Sequence, residues 1–249
     1  MKILVCISNV PDTTTKVKFT EEGKKFDTTG VQWVINPWDE LALTRALQLK
    51  EDPNNSVDAV TIVHVGEKAS EQTIRKALAI GADDAIRVNA DPKDALFVAT
   101  QLAEVVRQHD FDIIFTGIES SDYNGSAVGG MLAEILKIPS VSAISSVEIE
   151  GDQMKISRDI DGGAQEVTTE LPVVAMVQKG IAIEPRIAAM RGIMMARKKP
   201  LKVVEPVEAE SFVEVQHYEM PKDKPPCKMF EPEDIDVLVD HLQNEAKVI

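Results

Sequence analysis

The feature that most constrains this chain is a repeated alternation along its first 136 residues. Short apolar runs rich in β-branched residues alternate with segments whose apolar positions recur at helical spacing. The strand-like runs fall at residues 2–8, 30–35, 59–65, 85–88 and 112–116. The helix-like segments fall at 39–51, 70–79, 94–109 and 126–136, and a further strand is expected over 141–145. Strand, helix, strand at this spacing predicts parallel crossover units. The fold class is therefore α/β: a three-layer, mostly parallel sheet with helices on both faces, Rossmann-like and suited to an adenine nucleotide. Such sheets bind ligands beyond the carboxyl ends of their strands. That rule directs attention to residues 8–12, 36–39, 66–67 and 117–125.

The pattern changes near residue 146. Residues 147–149 and 154–157, joined by Gly151-Asp152, read as a hairpin, and 167–171 and 173–178 as further strands. Residues 188–199 carry methionines and arginines with no clean period. An irregular tail from Pro200 leads to a helix expected over 231–244, and an arm of this kind is expected to lie on a partner. The expected organisation is an α/β nucleotide-binding domain over 1–183, a partner-recognition loop over 184–199 and a C-terminal arm over 200–249.

Composition narrows the function. Acidic residues outnumber basic ones 41 to 27, a net charge of −14, which argues against nucleic acid as the partner. Cys6 and Cys227 form no disulfide or metal framework. With no signal-peptide core and no apolar run of membrane length, the expected location is the cytoplasm. The four histidines, His64, His109, His217 and His241, lack metal-ligand spacing. His64, inside an apolar strand, reads as a core residue. No nucleophile with its base stands out, so no catalytic residue is assigned.

Nucleotide binding has better support. Gly117-Ile118-Glu119-Ser120-Ser121-Asp122-Tyr123-Asn124-Gly125-Ser126 follows a strand and opens a helix, where free N–H groups suit a phosphate. No lysine is present for a triphosphate, so a monophosphate fits better. Plain turn and N-cap chemistry, with Ser126 as cap, explains the same residues. Asn36-Pro37-Trp38-Asp39-Glu40 is a second strand-to-helix junction. Capping accounts for it, although a tryptophan there could wall a nucleotide.

Five stretches together resemble the beta, or small, subunit of the electron-transfer flavoproteins. They are Lys2-Ile3-Leu4-Val5; Asn36-Pro37-Trp38-Asp39-Glu40; Thr73 through Asp83; Arg158-Asp159-Ile160-Asp161-Gly162-Gly163 with Glu166 and Leu171-Pro172; and Glu184-Pro185-Arg186 leading into 188–199. The resemblance covers nearly the whole chain and is weakest in the tail. It implies an obligate heterodimer whose alpha subunit holds a redox-active FAD, while the small subunit cradles it and buries an AMP. The dimer would carry electrons from flavin dehydrogenases, in many members toward a membrane quinone oxidoreductase.

Carried onto this sequence, the AMP contacts fall on Cys6, on Asn36, Pro37, Trp38 and Asp39, on Val65, and on Gly117 through Ser126 with Ala127 and Val128. The phosphate would meet backbone N–H groups at Ser126, Ala127 and Val128. Partner docking would fall on Glu184, Pro185, Arg186, Met190 and Ile193, with Met190 as the apolar anchor. Two alternatives carry different expectations. An electron-bifurcating flavoprotein would hold a second FAD in place of AMP, and a stand-alone adenine-nucleotide-binding stress or hydrolase-like protein would need no arm. The Ser120-Ser121-Asp122 version of the loop resembles the members that keep AMP.

Overall fold

The computed structural model describes residues 1–224 and 226–249. The strands, in chain order, are β1 (Lys2–Cys6), β2 (Asn9–Pro11), β3 (Phe19–Thr20), β4 (Lys25–Phe26), β5 (Trp33–Ile35), β6 (Ala59–Val65), β7 (Asp84–Val88), β8 (Ile113–Gly117), β9 (Ser140–Glu150), β10 (Gln153–Ile160), β11 (Gly163–Glu170), β12 (Val173–Val177) and β13 (Leu201–Val204). The α-helices are α1 (Pro37–Glu51), α2 (Glu71–Ile80), α3 (Ala95–Arg107), α4 (Val128–Leu136), α5 (Met190–Ala196) and α6 (Ile235–Asp240).

Nine strands form one sheet in the order β11-β10-β9-β12-β8-β1-β6-β7-β13. From β9 to β13 every pairing is parallel, and only β10 is reversed, antiparallel to β9 on one side and to β11 on the other. The parallel strands are apolar at successive residues because both faces are covered. In β1, Ile3 and Val5 enter the core under α1 and α2, and Leu4 and Cys6 enter the core under α3 and α4. Ala42, Leu43, Ala46, Leu47, Ile74 and Leu78 close the first core, and Phe97, Leu102, Ala103 and Leu132 the second. Each fully buried aliphatic side chain contributes about 1.5–3 kcal/mol.

The chain moves from β1 outward to β6 and β7, then α3 returns it to the other side of β1 to form β8. The strand order therefore reverses between β1 and β8, and a crevice opens beyond their carboxyl ends. Beyond β12 the sheet changes character. At Ala143 (φ 59°) the β9–β12 register shifts, and β9 runs on as an 11-residue strand into the hairpin with β10. The turn at Gly151 and a second one at Asp161-Gly162 join β9, β10 and β11.

Several expectations are corrected. The strand read over 30–35 shrinks to Trp33–Ile35 and pairs with β2 in a separate two-stranded ladder, because Gly30 (φ 72°) still belongs to a turn. Helix α1 starts at Pro37 rather than 39, since proline's missing N–H costs nothing in a first turn. Helix α4 starts at Val128, not 126: Ser126 has φ 47° and its hydroxyl turns to Glu119, so it caps nothing.

The start of the tail is not irregular. Leu201–Val204 pairs with β7 and completes the sheet edge. Beyond it the chain stays on its own domain for some distance. Gln101 and Val207 exchange two bonds of 2.8 Å, and Asp94 Oδ2 accepts from the Ser211 hydroxyl and the Phe212 and Val213 amides. The helix expected over 231–244 is split into a single turn at Pro232–Asp234, α6 and a wider turn at His241–Glu245. Ile235, Val237 and Val239 are exposed on it. No helix among the described residues is long and apolar enough to cross a membrane.

Candidate functional site

The crevice between β1 and β8 is held by the first residues of α1. Asn36 ends β5's extension fully buried, and Pro37 fixes the turn into the helix. The Asn36 amide donates to the Glu119 carbonyl (2.8 Å) and its Oδ1 accepts from the Ser121 N–H (3.1 Å). One side chain thus spends both polar atoms on the loop after β8. Asp39 does the same for the strand ends. Its Oδ2 accepts from the Ser8 N–H (2.7 Å) and its Oδ1 from the Gly117 N–H (2.9 Å), so one carboxyl bridges the ends of β1 and β8.

Burial pushes the Asp39 pKa up to about 7, against the pull of these hydrogen bonds. Only glycine fits at 117. A Cβ there would stand 2.4 Å from Asp39 Oδ1 and 2.8 Å from Trp38 Cβ. Half-buried Trp38 therefore walls the crevice where β8 ends.

The loop after Gly117 has its own framework. Ile118 N–H donates to the Val177 carbonyl (2.8 Å), and Asn124 N–H to the Ser120 carbonyl (2.8 Å). The Glu119 carboxylate accepts from Asn124 Nδ2 (3.2 Å) and from the Ser126 hydroxyl (3.0 Å). Asn124 and Ser126 both take left-handed backbone (φ 50° and 47°). Asp122, Tyr123 and Gly125 are exposed at the loop tip.

No side chain caps α4, so the N–H groups of its first turn have no acceptor in the helix and are open to an anion. Beneath them the Thr116 hydroxyl is buried and has no hydrogen-bond partner, with Gly129 of that first turn against it. A buried hydroxyl without a partner is costly unless a ligand completes it. Thr116 has no prominence in the sequence because a single hydroxyl at a strand end carries no pattern.

Cys6 and Val65 end β1 and β6, and both are buried in the core under α3 and α4. Burial pushes the Cys6 thiol well above its ordinary range, so it packs as a neutral group. His64 faces the other way. Its Nδ1 donates to the Ile7 carbonyl (2.8 Å), and burial lowers its pKa, which keeps it neutral in the core. Beside it lies buried Arg87, bonded to the Gly66 carbonyl and to Asn89 (2.8 Å each) and 3.3 Å from Glu71. Arg87 is another residue the sequence did not single out.

The expected docking residues lie apart from the crevice, over the α1 and α2 side. Arg186 is tied to α1 twice: its N–H donates to Thr44 Oγ1 (2.9 Å), and its guanidinium pairs with Glu51 (2.7 Å). Glu184 and Pro185 are exposed. Met190 opens α5 at 76% exposure, with Met194 at 71% and Ile193 at 49%. Beneath them α5 is seated on α2. A Cβ on Gly192 would stand 2.3 Å from the Ala79 carbonyl oxygen, and Ala196 is buried. Arg75 donates to the Ala196 and Lys199 carbonyls (2.8 Å each), while Lys199 Nζ reaches the Leu78 carbonyl (2.9 Å) at the end of α2.

Comparison with known proteins bears on this arrangement. A family model described as "Electron transfer flavoprotein domain" matches residues 24–209. The chain is 34% identical to the electron transfer flavoprotein subunit beta of Bacillus subtilis, with 100% of both chains covered. It is 37% identical to that of Syntrophomonas wolfei, over 90% of this chain and 87% of the relative. It is 34% identical to that of Homo sapiens, over 83% and 82%. A parallel sheet, a loop clamped at its reversal point and these likenesses over most or all of each chain lead to one conclusion: the chain belongs to the electron transfer flavoprotein family, as a beta subunit.

Proposed function

We propose that this chain binds a structural AMP in the crevice between β1 and β8 and forms the cradle beneath an FAD held by an alpha subunit. The observation that carries the reading is the pairing of an uncapped α4 with the partnerless Thr116 hydroxyl beneath it. A phosphate whose oxygens accept from the N–H groups of Ser126, Ala127 and Val128 suits that end of the crevice. The strand ends at Cys6 and Val65, with Asn36 through Asp39, would line the remainder, and Trp38 supplies an aromatic wall. The AMP itself does no redox chemistry. The FAD, when bound, supplies the electron-accepting chemistry, and the residues of this chain position it and exclude water.

The exposed apolar side chains of α5 support the second half of the proposal. Met190 serves as the anchor in docking flavin dehydrogenases, with Glu184, Pro185, Arg186 and Ile193 around it, and the electrons go on toward a quinone oxidoreductase or respiratory chain. A flexible, polarisable methionine can repack against more than one partner. The chain then acts as a carrier subunit with no bond-making residues of its own.

The test is the nucleotide content of the heterodimer purified with its alpha subunit. Denaturation and chromatography should release one FAD and one AMP per dimer. Two FAD and no AMP would overturn the assignment and make the chain part of a bifurcating enzyme.

A further inference from the structure

Three of the chain's nine methionines fall within six residues, at Met190, Met194 and Met195 of α5. All three are exposed, whereas Met154 in β10 and Met176 in β12 are buried. Met190 and Met194 stand four residues apart, so they share one face of the helix. A leucine pair would offer that face the same apolar character. What methionine adds is a thioether sulfur, which an oxidant attacks when it can reach it.

The helix is held on its domain by other groups. Gly192 lies against the Ala79 carbonyl, and Ala196 is buried. Arg75 of α2 donates to the Ala196 and Lys199 carbonyls (2.8 Å each) at the end of α5. In return Lys199 Nζ donates to the Leu78 (2.9 Å), Gly81 (3.2 Å) and Ala82 (2.5 Å) carbonyls at the end of α2. Each helix end is thus capped by a cation from the other side of the contact. A chemical change at the Met190 or Met194 sulfur alters the exposed face of α5 and leaves these contacts as they are.

We propose that Met190 and Met194 form a reversible oxidation site, at which a peroxide switches partner docking off. The inference rests on the docking reading given above and adds a regulation to it. The thioether sulfur attacks one oxygen of hydrogen peroxide. The O–O bond breaks, an S=O bond forms, and the second oxygen leaves with both hydrogens as water. The sulfur gives up two electrons and the peroxide takes them. A dithiol reductase reverses the step: it supplies two electrons and two protons, releases the oxygen as water and becomes a disulfide. The sulfoxide oxygen is a polar acceptor. Pressed into an apolar docking contact it loses its water and finds no donor, which weakens the contact.

The test uses the full heterodimer, hydrogen peroxide that is removed before assay, and a flavin dehydrogenase that reduces the untreated dimer. Peptide mass spectrometry should find sulfoxide at Met190 and Met194 well before Met154 or Met176. The dehydrogenase's KM for the oxidised carrier should rise about tenfold, with kcat and melting temperature unchanged. Methionine sulfoxide reductase should restore the untreated KM. The double variant Met190→Leu/Met194→Leu has no sulfur at these places and should keep, after peroxide, whatever KM it shows before. A wild-type carrier that forms no sulfoxide at either residue, or forms it at both and keeps its KM, overturns the switch. So does an equal rise in KM for the double variant, which places the damage elsewhere. Untreated Met190→Ala separates the two readings. If its KM equals that of wild type, the docking reading falls and the switch with it. If its KM is raised while the sulfoxide form keeps the untreated value, the switch alone is overturned.

Discussion

Asp39 lies where two demands on one side chain conflict. It must accept from two backbone N–H groups at once, which suits a carboxylate, yet it is buried, which disfavours the charge. Its pKa of about 7 in the fold stands above the roughly 4 of an unfolded aspartate. The folded state therefore binds the proton more tightly. This contribution to stability is fully present below the unfolded value and is lost as pH rises through about 7. Asp39→Asn should remove that slope, so wild type should lose more melting temperature than the variant between pH 5 and pH 8. Parallel slopes would show that Asp39 does not titrate there. The variant should also be less stable throughout, by about 1–3 kcal/mol, because its amide can accept from only one of the two N–H groups. Asn36 and Asp39 were legible in the sequence because they stand at a strand-to-helix junction, where ligand-facing residues concentrate. Thr116 and Arg87 were not, since each depends on what lies opposite it in space.

Helix α5 shows how a seven-residue element can be firm without a core of its own. It buries Ala196 and brings Gly192 against the Ala79 carbonyl, while Arg75 and Lys199 tie the carbonyl ends of α5 and α2 together. Its methionines are then free to face outward. Met190→Ala should slow electron transfer from a dehydrogenase at limiting carrier while leaving the melting temperature unchanged. Gly192→Ala should slow transfer and also lower the melting temperature, because the added methyl unseats the helix. Equal transfer rates in Met190→Ala and wild type would remove the anchor assignment. The sequence displayed no clean period over 188–199 because only one face of so short a helix touches the domain. The long parallel strands were legible for the opposite reason: each is buried on both faces and must be apolar throughout. The four-residue β13 was hidden behind Pro200, where a proline and two lysines suggested a loop.

At the scale of the molecule, a chain of net charge −14 is proposed to hold an anionic nucleotide. Local N–H groups, not net charge, decide that binding. A ligand bound only by the folded state adds about 2.7 kcal/mol at a hundredfold excess over its dissociation constant. Stripping AMP from the dimer should therefore lower its melting temperature, and adding AMP back should restore it. An unchanged melting temperature would mean that the folded dimer does not bind AMP in preference to the unfolded chain, and would overturn the AMP assignment. The sheet edge has a consequence for how the chain is made. β7 ends at residue 88, but its outer neighbour β13 is not synthesised until residues 201–204. During synthesis more than a hundred residues emerge while one flank of β7 has open backbone groups, the condition under which nascent chains join one another edge to edge. Arg87 is buried and already paired within the domain, so partly exposed Asp84 is the one charge of that five-residue strand left to oppose such pairing until its own neighbour strand arrives.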